Sequence, residues 1–179
     1  MRALTRTVLV VATSAGLCAG MVLPASADTT GGSSATVTVT GGVLSITVPA
    51  DAGSLGSLAN TVDGGTVSAP LGVVRVSDAR SAAAGAGWVA SVISTAFTPA
   101  AGPTIAASLV SYTAGTITKT GTATYTANDP GDLTGVSPAV TATGITGDNS
   151  ATWNPTITVT VPGGTIAGVY TATITHSVL

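Results

Sequence analysis

Along most of this chain, β-branched and hydroxyl-bearing residues alternate one for one, and a period of two is the spacing of an extended strand with one buried face. In Ala35-Thr-Val-Thr-Val-Thr40 the alternation is unbroken. After Gly41 and Gly42 it resumes with Leu44, Ile46 and Val48 on one side, and Pro49 ends the run. The same signature returns in Val73–Ser77, Trp88–Phe97, Thr122–Thr126, Ile157–Val161 and Val169–Val178. Val, Ile and Thr suit a pleated, half-buried surface far better than a helix.

Turn chemistry punctuates these runs at Gly64-Gly65, Asn128-Asp-Pro-Gly131, Gly147-Asp-Asn149 and Pro162-Gly163-Gly164. Many short strands at such spacing predict an all-β fold, an antiparallel β-sandwich with no long helix. Helical competition is weak: Leu55 and Leu58 are three apart, but Gly53 and Gly56 interrupt that segment. Ser81–Ala84 is long enough for one helical turn.

The first residues read as an export signal. Arg2 and Arg6 give a positive start, an apolar run extends to Leu23, and Pro24 precedes the small-x-small site Ala25-Ser-Ala27. Cleavage is expected between Ala27 and Asp28. A retained anchor is the alternative, but Thr13, Ser14 and Gly16 interrupt the apolar stretch. Cys18 follows Leu17, where a lipoprotein signal needs Ala or Gly, and it departs with the signal. The expected organisation is therefore a signal peptide at 1–27, an N-terminal lead running into a first strand at 28–40, and one domain at 41–179. The mature protein is expected to be secreted, with no membrane attachment after cleavage.

From Asp28 onward the chain has no cysteine, so neither disulfides nor thiolate metal sites are available to it. Arg75, Arg80 and Lys119 stand against seven Asp and no Glu, a net charge of −4. Without a basic patch to neutralise phosphates, nucleic acid is excluded as a partner. No catalytic motif is present: there is no Gly-x-Ser-x-Gly elbow, and no recognisable motif places a pair of Asp carboxylates. Gly85-Ala-Gly87-Trp-Val-Ala90 matches a dinucleotide-binding pattern in letters only, because strand-forming residues follow it instead of a helix. The chain reads as a non-enzyme with no cofactor. His176 is the only histidine, so a zinc site lacks its usual ligands and no metal is expected.

The order of several features resembles a WxL domain, a surface module of Gram-positive bacteria that associates with the cell wall. These features are Gly41–Val48, then Leu71-Gly-Val-Val-Arg-Val-Ser-Asp78-Ala-Arg80, then Gly87-Trp88, and the closing Gly168-Val-Tyr170-Thr-Ala-Thr-Ile-Thr175. The resemblance covers about Gly41 to Leu179. Both name-giving Trp-x-Leu tripeptides are altered. The first is Trp88-Val89-Ala90, and the second falls at His176-Ser177-Val178. The resemblance implies that these six residues are the wall-binding elements, with Asp78, Arg80 and Tyr170 structural. It also implies non-covalent association with peptidoglycan in a structural or adhesive role, with other surface proteins as further partners. The sequence shows no sorting tail after Ser177-Val178-Leu179, so retention is expected to rest on affinity. The alternative function is a secreted carbohydrate-binding module for a non-wall glycan, with aromatics such as Trp88, Trp153, Tyr112 and Tyr125 lining an exposed surface.

Each candidate residue also has a plain structural role. Trp88 is either the largest core filler, with Gly87 letting a neighbour approach, or a stacking platform for a sugar; the core reading is preferred. His176 shares strand parity with Tyr170, Ile174 and Val178, which predicts a buried, neutral ring. Asp78 and Arg80 are two apart on one strand face, which favours an ion pair or a turn-locking hydrogen bond. Asn128–Asp132 offers oxygen atoms for calcium but lacks the ligand density of a calcium loop, and a turn is preferred. Trp88 and Tyr170 are both expected in the core.

Overall fold

The computed structural model describes residues 34–179. The expected signal segment and its cleavage site lie outside the described residues. The described chain is all-β, with strands β1 (Leu44–Thr47), β2 (Gly64–Pro70), β3 (Val74–Ser94), β4 (Thr98–Pro99), β5 (Val110–Thr113), β6 (Thr118–Ala127), β7 (Ser137–Trp153), β8 (Thr156–Pro162), β9 (Tyr170–Thr171) and β10 (Ile174–Val178). Its only helical element among the described residues is a 3-10 turn at Ala107–Leu109. No helix there is long and apolar enough to cross a membrane.

Every strand pairing is antiparallel. The larger sheet runs β1-β3-β7-β6, with β10 also on β3; the smaller runs β2-β8-β5, and β4 pairs β9. β1 and β10 both pair with β3, along Arg75–Asp78 and Ala90–Ser94 respectively. Period-two burial turns Val74, Val76, Trp88 and Val92 of β3 inward, with Val140 and Trp153 of β7. Val110 and Tyr112 of β5 and Ile157 and Val159 of β8 meet them in one core. This is the sandwich that the alternation predicts, two sheets sharing their apolar faces.

The structure also redraws several expected elements. Ala35–Thr40 forms no strand, and Val37 and Val39 are 88% and 82% exposed. Alternation supplies strand propensity, but a strand also needs a neighbour to pair with. Val73–Ser77 and Trp88–Phe97 are not separate strands: Val74–Ser77 and Trp88–Ser94 are the two ends of β3, 21 residues long, Ser81–Ala84 is extended within it, and Phe97 lies beyond it in a bridge to Ile105. Ser81 and Gly85 have φ of 53° and 91°, and the register with β7 shifts between Asp78 and Trp88. Bulges of this kind carry a long strand through a small-residue stretch without breaking it.

Gly147-Asp-Asn149 is likewise no turn. It lies inside β7, where Gly147 faces Ala82 across a register shift. Gly64 and Gly65 open β2, and the turn precedes them at Val62-Asp63. The final alternating run divides, because β9 pairs with β4 while β10 pairs with β3. Tyr170, expected in the core, is half-buried and donates its hydroxyl to the carbonyl of Ile166 at 2.8 Å. A phenol whose oxygen must reach a loop carbonyl is held near the surface.

Candidate functional site

The two altered tripeptides, far apart in sequence, sit side by side. Ala90 of β3 lies opposite Val178 of β10, and Ser91 opposite Ser177. The ladder extends one residue beyond β10, with Val89 N–H donating to Leu179 C=O at 2.9 Å and Leu179 N–H to Val89 C=O at 3.1 Å. Strand parity then sorts the six residues. Trp88 and Ala90 are buried, and His176 and Val178 are half-buried toward the core. Ser177 is exposed and Val89 half-exposed on the opposite face. The outer surface of the tripeptides is thus carried by their middle residues, flanked by Ser91 and Thr175.

Trp88 is only 2% exposed, as its reading as core filler requires. A Cβ on Gly87 would stand 2.7 Å from the carbonyl oxygen of Ala142, so glycine there permits close approach of β7. The indole N–H donates to Asn149 Oδ1 at 3.0 Å, and the Tyr125 hydroxyl donates to the same oxygen at 3.2 Å. Asn149 Nδ2 in turn donates to Asp78 Oδ2 at 3.2 Å. Arg80 closes the chain with a two-pronged pair, Nε to Asp78 Oδ1 at 2.8 Å and Nη2 to Oδ2 at 2.9 Å, and Nη2 also reaches Gly87 C=O at 3.2 Å. Asp78, Arg80 and the Gly87-Trp88 pair are therefore one connected unit spanning the bulged middle of β3.

Asp78 is 1% exposed, yet its carboxylate accepts from Arg80 on both oxygens and from Asn149. The Arg80 hydrogen bonds hold its pKa below the ordinary carboxylate value, against the opposing effect of burial. The expected Asp78–Arg80 ion pair is present. Asn149 was not visible as a member of this unit in the sequence, because Gly-Asp-Asn reads locally as a turn. A buried acceptor is what an interior indole N–H demands, but only the fold shows which residue supplies it.

On the other side of the core, Trp153 Nε1 donates to the Tyr112 hydroxyl at 2.7 Å, and that oxygen lies 3.4 Å from His176 Nε2. The Tyr112 and His176 rings meet at 5.6 Å, tilted by 60°. His176 Nδ1 is buried with no hydrogen-bond partner among the described residues. Burial lowers the His176 pKa to about 4, which keeps the ring neutral at ordinary pH. Burial also pushes the Tyr112 phenol well above its usual value, so it stays a neutral donor and acceptor.

No protein-family model, curated protein or solved structure matches this chain. The site therefore stands on its own geometry.

That geometry removes the aromatic platform on which a glycan-stacking surface depends. Trp88, Trp153 and Tyr112 are 2%, 2% and 0% exposed, and Tyr125 is tilted against Trp88 at 5.7 Å. Nor do carboxylates converge on His176. Asp129 accepts from Ala114 N–H, Asp132 from Thr134 N–H, and Asp148 from Ser81 N–H, so each fastens a backbone amide, within its own turn for Asp132 and across the chain for the other two. In the Asn128–Asp132 loop, Asp132 thus locks the turn that follows it and Asp129 ties the loop to Ala114 at the end of β5. Among the described residues no group of three His, Cys, Asp or Glu side chains gathers.

Proposed function

We propose that this protein is exported and serves as a cell-surface module that associates non-covalently with the peptidoglycan of a Gram-positive wall, in a structural or adhesive role. The observation that carries the reading is the pairing of the two tripeptides. Residues singled out by the WxL resemblance from distant parts of the sequence share one ladder, Ala90 against Val178. The signal-like start of the sequence and its Thr- and Ser-rich, weakly charged composition support the same reading.

The contact surface is the outer face of β3 and β10, where Ser91, Thr175 and Ser177 offer hydroxyls among the aliphatic side chains of Val89, Ile93 and Leu179. Uncharged hydroxyls exchange hydrogen bonds with sugar and amide groups at little desolvation cost, and each such exchange contributes about 0.5–1.5 kcal/mol. Binding by such a strip is weak for a single copy. The test is co-sedimentation of the folded protein with purified sacculi, beside an unrelated acidic protein. Pelleting above that control is the expected result; its absence refutes wall association.

A further inference from the structure

A cleft of about 850 Å³ opens between the inner face of β2 and β8 and the inner side of β10. Val67, Val159, Phe97, Ile105, Ile174 and His176 line it. Residues 48–60 roof it without joining either sheet: this strap is irregular throughout, and its hydrogen bonds are local ones, Gly53 N–H to Asp51 and Gly56 N–H to Ser54. Leu58 rests over Gly65 and Gly56 over Val67. β2 is an outer strand of its sheet, so one edge of its backbone has no strand partner. Between Gly64 and Ala69 it carries neither a charged residue nor a proline to guard that edge, Pro70 standing only at its last position. The free edge of β6, by contrast, has Lys119 and a bulge at Gly121, two devices that discourage pairing.

The same chain holds a segment with strand-like alternation that pairs with no strand among the described residues. Ala35–Thr40 places Ala35, Val37 and Val39 on one face and Thr36, Thr38 and Thr40 on the other, and both valines are exposed. Laid beside β2, such a segment puts valines into the cleft and threonines toward water, and it brings no charge to desolvate. Six extended residues span roughly 20 Å, comparable to the seven-residue β2. We propose that Ala35–Thr40 of a second copy adds to the free edge of β2 and fills this cleft, displacing the strap, so that copies join head to tail. A heterologous contact of this kind does not close on itself and yields chains of molecules.

Sedimentation of the purified protein over a concentration series tests the proposal. Wild type is expected to pass from monomer to dimers and longer species, while Val37→Asp/Val39→Asp remains monomeric with an unchanged thermal melt. A synthetic peptide of residues 34–42 in excess should return wild-type assemblies to monomer. In the protein from Asp28 onward, which has no cysteine of its own, mixing Val37→Cys with Val67→Cys should give mixed disulfide dimers, and mixing Val37→Cys with Thr120→Cys on β6 should not. A wild type that stays monomeric, a double-Asp variant that assembles equally well, a peptide without effect, or equal cross-linking to both sites each overturns the proposal.

Discussion

Ala90 on β3 faces Val178 on β10 across an antiparallel ladder, and the smaller side chain is the fully buried one. The pair fixes how far either position can be enlarged. Leucine at 90 must enter a site that is 0% exposed, bounded by Trp88 and Val92 in the same core. Ala90→Leu is expected to destabilise by about 1–3 kcal/mol. Val178→Leu, at a half-buried position near the chain end, should cost less than about 1.5 kcal/mol. Urea melts of the two single variants and the double check both values, and the double should depart from additivity because the two side chains are neighbours.

The Trp88–Asn149–Asp78–Arg80 unit predicts a graded series. Trp88→Ala should cost about 3–5 kcal/mol through lost packing. Asp78→Ala should cost about 1–3 kcal/mol, because it strands the buried Asn149 Nδ2, while the Arg80 side chain it leaves unpaired is 38% exposed to water. Asn149→Ala removes the shared acceptor of Trp88 and Tyr125 and leaves a buried indole N–H unpaired, at about 1–3 kcal/mol. Chemical denaturation of each variant measures the order; an Asp78→Ala variant as stable as wild type contradicts a structural role for the ion pair.

Below neutral pH, stability depends on His176 in one range and on carboxylates, Asp78 among them, in a lower one. His176 has its folded pKa lowered to about 4, from an ordinary value of 6.5, by burial. The unfolded chain then binds the proton more readily, so stability is full above 6.5 and falls as pH drops toward 4. Asp78 is also lowered, from 3.8, but by its bonds to Arg80, so its contribution is present above that value and is lost as pH falls through it and below. Between pH 7 and 5 the loss therefore belongs to His176. His176→Phe is expected to flatten that window while leaving the steeper acid limb in place, as read by thermal melts at successive pH values. Identical profiles for the two proteins between pH 7 and 5 would count against a buried neutral ring.

Much of the sandwich was legible from periodicity because Thr and Val alternate wherever a strand has one wet face; β6 and β8 contain their expected runs. The middle of β3 was not, since Ala79–Gly87 has small residues and no alternation to read. Only pairing with β7 keeps it extended. Asn149 was hidden for a different reason: its partners Trp88 and Asp78 are 61 and 71 positions away, beyond any local pattern. Tyr170 shows the limit of parity, which gives the side a residue faces but not the depth at which its polar atom finds an acceptor. The two tripeptides were visible as a resemblance, but their shared ladder is a property of topology.

The last prediction separates the outer face of that ladder from its inner one. If wall association uses Val89 and Ser177, then Val89→Asp and Ser177→Asp should weaken pelleting with sacculi while barely moving the melting temperature. Both replace a side chain on the wet side of the sheet, where substitutions usually change stability by less than about 0.5 kcal/mol. A charge set among hydroxyls that bind neutral sugars must be desolvated on contact, and a loss of about tenfold in affinity corresponds to about 1.4 kcal/mol. Trp88→Phe should behave in the opposite sense. It removes the N–H donated to Asn149 and lowers stability, yet the protein that remains folded should pellet like wild type, since the indole never reaches the surface. Measuring bound fraction and melting temperature on the same three samples decides the matter. Loss of pelleting in Trp88→Phe with Val89→Asp and Ser177→Asp unaffected would place the contact elsewhere than on this face.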